Sequence, residues 1–550
     1  MTKNELNYLK FGKKMPQKSK NRYLKVASHE ARKGQVKKVV LLYSGGDNTS
    51  AMIGWIKTEY KAEIIALIVD IGQQSNGLES LRQKALDLGA TKSLIIDARA
   101  EFADEYIAPS IKANGMYQGR YYLSVPLGRT LLAKWAVKIA AQEGADAIAH
   151  GASGKGNDQV RIEGSALALN PDIKIIAPLR EWSVSGNNEL EQQTSKNRLY
   201  AFDDNMWGAV SEGNDINNSS VIPQLDKILR LCVTPEKAKD APDYLTIEFS
   251  KGLPVSVDGV VLPLVEIIGS LNTRAATHAI GLTHLLEDRI IGLKVRSICE
   301  APAAETIITA HKALERYVSS RLENEFKTIV DEKWAYLVYG GLWFEPLMDD
   351  LNAYQNKINS KISGTVTLKL FKGNIETVAI ETPNSVFDEK SATFMEDYSL
   401  NQNASAGDIE HYSFQMKMAQ RRRHTALLAI GGRTQKLKLL SEMKVLDQLD
   451  YRLYATYKTY KFLKSHGIEA ILVNKLKNPE LKPNLAELLD AHRFDLIINI
   501  PINEEFSNLK NDEKSDGQII REKAVITSTP LITSASLAKA MISQLKKIKV

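Results

Sequence analysis

The apolar run Val39-Val40-Leu41-Leu42-Tyr43 stops abruptly at Ser44-Gly45-Gly46, and a helical pattern follows from Thr49 to Tyr60. A short apolar run closed by two glycines and followed by a 3.6-residue period reads as strand, tight loop and helix. The alternation continues with a strand from Ile64 to Asp70, a helix from Leu78 to Leu88, a strand from Ser93 to Asp97 and a strand end at Asp146 to His150. Strands that alternate with helices predict an α/β domain built on a doubly wound parallel sheet.

Beyond residue 183 the pattern is mixed. Leu245 to Phe249 and the alternating stretch Gly364 to Phe371 read as strands, with helices near Val265 to Leu271 and Ala303 to Glu323. A fresh β/α alternation begins after Arg421-Arg422-Arg423, which reads as an interdomain linker. Its strands are Thr425 to Ile430, Tyr451 to Ala455, Ala470 to Val473 and Leu496 to Ile500, and its helices Tyr457 to Ser465 and Asn484 to Ala491. The expected organisation is a basic tail at 1–37, a nucleotide-binding domain at 38–182, an α+β domain at 183–420 and a C-terminal α/β domain at 424–550.

Charge is unevenly spread. Residues 1–38 hold twelve Lys or Arg against Glu5 and Glu30, a net +10, so the rest of a chain at +7 carries −3. A basic segment with so few apolar residues is expected to be disordered and solvated, and no nucleic-acid partner is expected. Two cysteines, Cys232 and Cys299, cannot form a disulfide framework or a four-ligand zinc site, so a reducing cytoplasm is the expected location and no protein metal site is expected. No run of about 18 apolar residues is present to span a bilayer.

The loop Ser44-Gly45-Gly46-Asp47-Asn48-Thr49-Ser50 lies where unpaired backbone N–H groups and a helix dipole favour an anion, and its glycines let backbone approach phosphates. It is not a Walker loop, because no Gly-Lys-Ser/Thr follows. Tyr43 to Ser50 resembles the Y-S-G-G-L-D-T-S pyrophosphate loop of argininosuccinate synthases. The stretch from His150 to Arg161, HGASGKGNDQVR, is similar to that family's H-G-A/C-T-G-K-G-N-D-Q-V-R. Ile176 to Trp182, Asp203-Asp204-Asn205, Glu287-Asp288-Arg289, Glu300-Ala301-Pro302 and Leu337 to Phe344 keep the family order, so the resemblance covers residues 38 to about 400.

The resemblance implies an adenine nucleotide alpha-hydrolase (PP-loop) fold and a ligase that joins aspartate to a citrulline-like ureido acceptor, splitting ATP to AMP and pyrophosphate. It implies an ATP site at Leu42, Tyr43, Ser44, Gly45, Gly46, Asp47, Asn48, Thr49, Ser50, Val69 and Gly151, with Mg2+ on the phosphates. Ser153, Asn157 and Asp158 map to the aspartate subsite. Tyr121, Arg129 and Arg161 map around the acceptor or phosphates, with Glu212 and Glu287 in the acceptor set. A homotetramer is also implied.

Departures from the family pattern concentrate at the acceptor. Asn48 stands where the family has Asp, and an amide cannot supply the charge that a carboxylate gives Mg2+. Ser124-Val125-Pro126 replaces Gly-Thr-Ser, and Ala201, Val210 and Cys299 stand where the family has Ser, Ser and Tyr. The segment between Trp182 and Tyr200 is shorter than the family's. Whole replacement of a set of hydroxyls suggests a different acceptor. The same changes suit a second reading, a nucleotide-binding protein that has lost turnover.

Ala455 to Thr459, Leu472 to Lys475, Leu496 to Asn499 and Asp516 to Thr533 resemble methylglyoxal-synthase-like domains. This resemblance implies a nucleotide or phosphometabolite effector held at Thr456, Thr459, Lys475 and Asn499; an oligomerising module is the alternative.

Overall fold

The computed structural model describes residues 25–73, 77–185, 200–392, 403–421, 424–474, 480–502 and 515–548. The opening alternation forms β1 (Lys38–Leu42), α1 (Asp47–Glu59), β2 (Glu63–Asp70), α2 (Leu78–Asp87) and β3 (Lys92–Asp97). A long helix, α3 (Ser124–Glu143), leads to β4 (Ala147–Ala149), α4 (Asp158–Leu169) and β5 (Lys174–Ile176). The five strands pair in parallel in the order β3-β2-β1-β4-β5. β1 is apolar throughout because both its faces are covered. Val39 and Leu41 pack with Met52, Ile53 and Ile56 of α1, while Val40 belongs to the core that includes Leu127 and Leu131 of α3. Strand order reverses at β1, so the loops after β1 and β4 diverge and leave a crevice at the strands' carboxyl ends.

The solvated reading of residues 1–37 does not extend to 25–37, whereas 1–24 lie outside the described residues. Ala31 donates its N–H to the Ile175 carbonyl at 2.9 Å, and the Ile175 N–H donates to His29 at 2.8 Å, so this segment lies against β5. Ala31 and Val36 are buried with the α1 side of the sheet.

The chain continues as β6 (Ala201–Asn205), β7 (Gly208–Glu212), β8 (Asp243–Ser250), β9 (Leu253–Val257), β10 (Val260–Val261), β11 (Leu282–Asp288) and β12 (Lys294–Glu300). The helices α5 (Pro302–Val318) and α6 (Arg321–Tyr339) and a further helix at Pro346–Asn359 precede the hairpin β13 (Gly364–Phe371) and β14 (Asn374–Glu381). These strands make two antiparallel sheets, β11-β12-β7-β6 and β10-β9-β8-β13-β14. The single helix expected from Ala303 to Glu323 is two. Ser320 turns extended and accepts from the Glu323 N–H while Glu323 bonds back to the Ser320 N–H, a capping box that starts α6.

The described residues up to 392 form one compact unit and those from 403 onward another. In the second unit β15 (Thr425–Ile430), β16 (Arg452–Thr456), α7 (Tyr457–Ser465), β17 (Ile471–Val473), β18 (Leu496–Ile500), α8 (Asp516–Ile526) and β19 (Leu531–Ile532) build a parallel sheet. Its order is β17-β16-β15-β18-β19. No helix of the described residues is long and apolar enough to cross a membrane.

A buried charge cluster ties α5 and α6 together in the first unit. The Lys327 ammonium, 1% exposed, lies 2.9 Å from Glu315 and 2.8 Å from Asp331, and donates to the Lys112 carbonyl at 2.9 Å. Burial drives the Asp331 carboxyl up to about 6 despite Lys327. Removing the ammonium that contacts both carboxylates leaves them without their ion-pair partner. Lys327→Met should therefore destabilise the protein by about 3–5 kcal/mol, read from urea unfolding, and a loss below about 1 kcal/mol would refute this account.

Candidate functional site

The loop after β1 carries its own scaffolding. Gly45 sits at φ +74°, a conformation that favours glycine, and a Cβ there would fall 2.3 Å from Leu81 Cδ2. The Ser44 and Thr49 hydroxyls lie 3.2 Å apart, Tyr43 OH is 3.1 Å from Ser50 Oγ, and Lys84 donates to the Gly45 carbonyl at 2.8 Å. Gly46 is the N-cap of α1 with no side chain capping it, so the first amides of that helix face the crevice. A cavity of about 710 Å³ opens there. One end is lined by Tyr43 to Gly46 with Asn48 and Thr49, and its apolar wall includes Leu42, Val69, Leu81 and Leu132. Gly151, after β4, closes the floor, where a Cβ would stand 3.2 Å from the Thr49 methyl.

Asn48 lines this cleft, and Asp47 does not. The cleft's carboxylates come instead from Asp158 on α4 and from Asp203 and Asp204 on β6. Among the described residues no group of three His, Cys, Asp or Glu side chains could hold a metal ion unaided. A magnesium ion brought in on phosphate oxygens needs only one or two such carboxylates, which this donor set can offer.

Arg129, Asp158 and Arg161 form one network. Asp158 accepts from Arg129 Nε at 2.9 Å and from Arg161 at 3.0 Å, and Arg129 also bonds Asp203. Burial alone would raise the Asp158 carboxyl, but the two guanidiniums override it and bring it down to about 2. Arg161 is buried, donates to the Tyr339 carbonyl at 3.0 Å and lies over the Tyr339 ring. Asn157 is buried as well, and its amide is held at both ends: it donates to Tyr339 OH at 2.8 Å and accepts from the Ile290 N–H at 3.0 Å. Ser153 sits apart, exposed in the loop before α4.

The positions expected to meet the acceptor gather on one face of the β11-β12-β7-β6 sheet. Thr283 is directly opposite Cys299, Cys299 opposite Val210, and Val210 opposite Asp203. Side chains of directly paired residues share a face, as do residues two apart on a strand. Ala201, Glu212 and Glu287 therefore join that row's face. Arg289 grips Glu212 through two bonds of 2.7 and 2.8 Å and lies 3.7 Å from Glu287. Burial, with Glu212 nearby, raises the Glu287 carboxyl although Arg161 and Arg289 oppose it. Burial likewise pushes the Cys299 thiol up to about 12, so it is a neutral packing group. Tyr121 is buried edge-on to Tyr339 and its OH accepts from the Val125 N–H at 3.2 Å.

The sequence reading did not single out Asp203, Arg289 or Tyr339 as site residues. Their signal was available, because each falls inside one of the ordered motifs quoted above. The segment 186–199, within the stretch read as shorter than the family's, lies outside the described residues, as do Arg422 and Arg423.

In the second unit the Thr459 hydroxyl is buried and bridges the Ile430 N–H and carbonyl at 3.1 and 3.3 Å, which makes it a β15–α7 brace. Thr456 is the N-cap of α7, and Asn499, on β18, accepts from Arg521 at 2.7 Å. Thr456 ends β16 and Asn499 is the penultimate residue of β18, the strands on either side of β15. Lys475 lies outside the described residues.

Residues 38–198 match the model of the arginosuccinate synthase N-terminal HUP domain, residues 200–419 that of the arginosuccinate synthase C-terminal domain, and residues 438–533 that of the MGS-like domain. The chain is 42% identical over 390 residues to the argininosuccinate synthase of Caldanaerobacter subterraneus subsp. tengcongensis, spanning 69% of this chain and 95% of that one. It is 41% identical over 383 residues to that of Moorella thermoacetica, spanning 68% of this chain and 91% of the relative. A third, from Thermoanaerobacter sp. (strain X514), is 41% identical over 390 residues, with 69% and 95% covered.

The depressed Asp158 carboxyl has a stability consequence of fixed sign. A carboxyl ionised more easily in the folded state contributes stability above its unfolded value, and that contribution fades as pH falls toward about 2. Asp158→Asn should lower stability by about 2–3 kcal/mol at pH 7, and the gap should narrow below about pH 4. Urea unfolding of both proteins from pH 7 to pH 3 checks it; a gap that widens with acid would be the wrong sign.

Proposed function

The chain belongs to the argininosuccinate synthase family, and from that premise we propose how its ATP-dependent carbon–nitrogen ligase chemistry is laid out and which acceptor it prefers. ATP lies with its phosphates on the Ser44 to Ser50 loop and its adenine beside Val69, and Mg2+ accompanies the phosphates. The acceptor's ureido oxygen attacks the α-phosphorus and pyrophosphate leaves. The amine of aspartate, held at the loop from Ser153 to Asp158, then attacks the ureido carbon and AMP leaves. Arg129 and Arg161, fixed by Asp158, neutralise charge as it develops, a task of positioning and electrostatics.

The acceptor is a ureido compound that is less polar than citrulline at its amino-acid end. The observation that supports this is the cross-strand row through Cys299 and Val210, which carries no hydroxyl between Thr283 and Asp203; the buried Ser297 hydroxyl on the same face lies against the Cys299 thiol at 3.9 Å. Glu212 and Glu287 remain on that face for a cationic or donor group. In the C-terminal domain a phosphate-bearing effector is held near the carboxyl ends of β16 and β18, by Thr456 and Asn499.

Pyrophosphate release from ATP and aspartate, across a panel of ureido acceptors, tests the reading; silence with every one would favour a protein that binds nucleotide without turnover. Citrulline should be a poor acceptor, since each missing hydrogen bond costs about 0.5–1.5 kcal/mol. A kcat/KM for citrulline of roughly 10^4 per molar per second or more would reject that specificity. Asn48→Asp should raise the rate of pyrophosphate formation severalfold by restoring a carboxylate in the cleft; an unchanged rate would mean that Asp203 or Asp204 already supplies it.

A further inference from the structure

A second cavity, of about 310 Å³, shares no lining residue with the nucleotide cleft. One wall is α5, where Glu305, Thr309 and Lys312 recur at i, i+4 and i+7 and so share a face. The opposite wall is the turn closed by the Tyr117–Tyr121 bridge, which brings Gly119 at φ +68° and Arg120 to the rim, and Tyr122 just beyond. Thr283, at the start of β11, completes it.

The charges here are only partly answered. Tyr122 OH donates to one oxygen of Glu305 at 2.6 Å. The other Glu305 oxygen, the Lys312 ammonium and the Arg120 guanidinium make no hydrogen bond or ion pair among the described residues. Lys312 feels Asp331, Glu315 and Glu305 only at longer range, and burial lowers its proton affinity. A half-buried ammonium held without a hydrogen-bonded counter-charge is costly unless an anion completes it.

We propose that this cavity is a binding site for a small acidic amino acid. Lys312 and Arg120 take carboxylate, the open oxygen of Glu305 takes the α-ammonium, and the Thr283 and Thr309 hydroxyls serve the remaining oxygens. Two cations and one carboxylate leave the cavity at +1, which a ligand with two carboxylates and one ammonium balances. The volume lies at the small end of ligand pockets, which fits a metabolite of that size. The site stands next to the acceptor face, because Thr283 is the direct cross-strand partner of Cys299, but its occupancy does not rest on the ligase reading.

Calorimetric titration of the full chain with L-glutamate, and with glutarate as the match lacking an ammonium, tests it. Saturable L-glutamate binding is expected, weakened about tenfold or more by Lys312→Gln and by Arg120→Gln. Glu305→Gln should weaken L-glutamate and leave glutarate unchanged or tighter. Arg120 is on an exposed turn, so Arg120→Gln remains decisive if Lys312→Gln does not fold. No saturable binding, or binding that neither cation variant weakens, overturns the proposal. Equal affinity for glutarate and L-glutamate, with no effect of Glu305→Gln, overturns the amino-acid assignment.

Discussion

Asp158 is the charge on which the rest of the site depends. Its carboxylate takes one guanidinium from α3 and one from its own helix, and Arg129 passes the connection on to Asp203 of β6. Arg161 carries it the other way, to the carbonyl that ends α6. One side chain at the first position of α4 thereby ties the parallel sheet, the antiparallel acceptor sheet and α6 together. Its ionisation is secured by two arginines against burial, so the network stays charged across the physiological range. Breaking such a group removes several partners at once, because each guanidinium left behind is itself partly buried.

The second constraint is geometric. The antiparallel sheet presents a straight row from Asp203 through Val210 and Cys299 to Thr283, and this row starts in the nucleotide cleft and ends in the second cavity. The polar groups that remain beside it are paired to one another: Arg289 answers Glu212 and approaches Glu287. A face with an apolar centre and a compensated charge rim can accept a different molecule without leaving a buried donor orphaned, which is the condition for changing substrate cheaply.

The parts of this architecture that depend on neighbouring residues were legible in the sequence. β1, its glycine loop and α1 follow from a few consecutive residues, as do β15, α7 and β18, since local burial and turn chemistry dictate them. Ser320-Arg321-Leu322-Glu323 also carried its signal, a capping box, but the apolar period runs across it and masks the break. Long-range placement was not legible. Nothing near Asn157 announces that Tyr339 and Ile290 occupy both ends of its amide, and nothing near Thr459 announces that Ile430 takes its hydroxyl. Ala201, Val210 and Cys299 could be picked out one at a time, but that they share one face follows only from strand pairings far apart in sequence.

That division has a consequence for how such a ligase can diverge. The nucleotide end is built from short loops whose backbone is held by its own glycines and by the start of α1, so a change there disturbs local geometry directly. The face through Val210 and Cys299 is a surface of side chains on a sheet whose ladder is made by backbone, and the ladder is indifferent to whether position 299 is an aromatic ring or a thiol. Substitutions along the row can therefore alter the surface it presents while the Asp158 network, which meets the row at Asp203, keeps Arg129 and Arg161 in place.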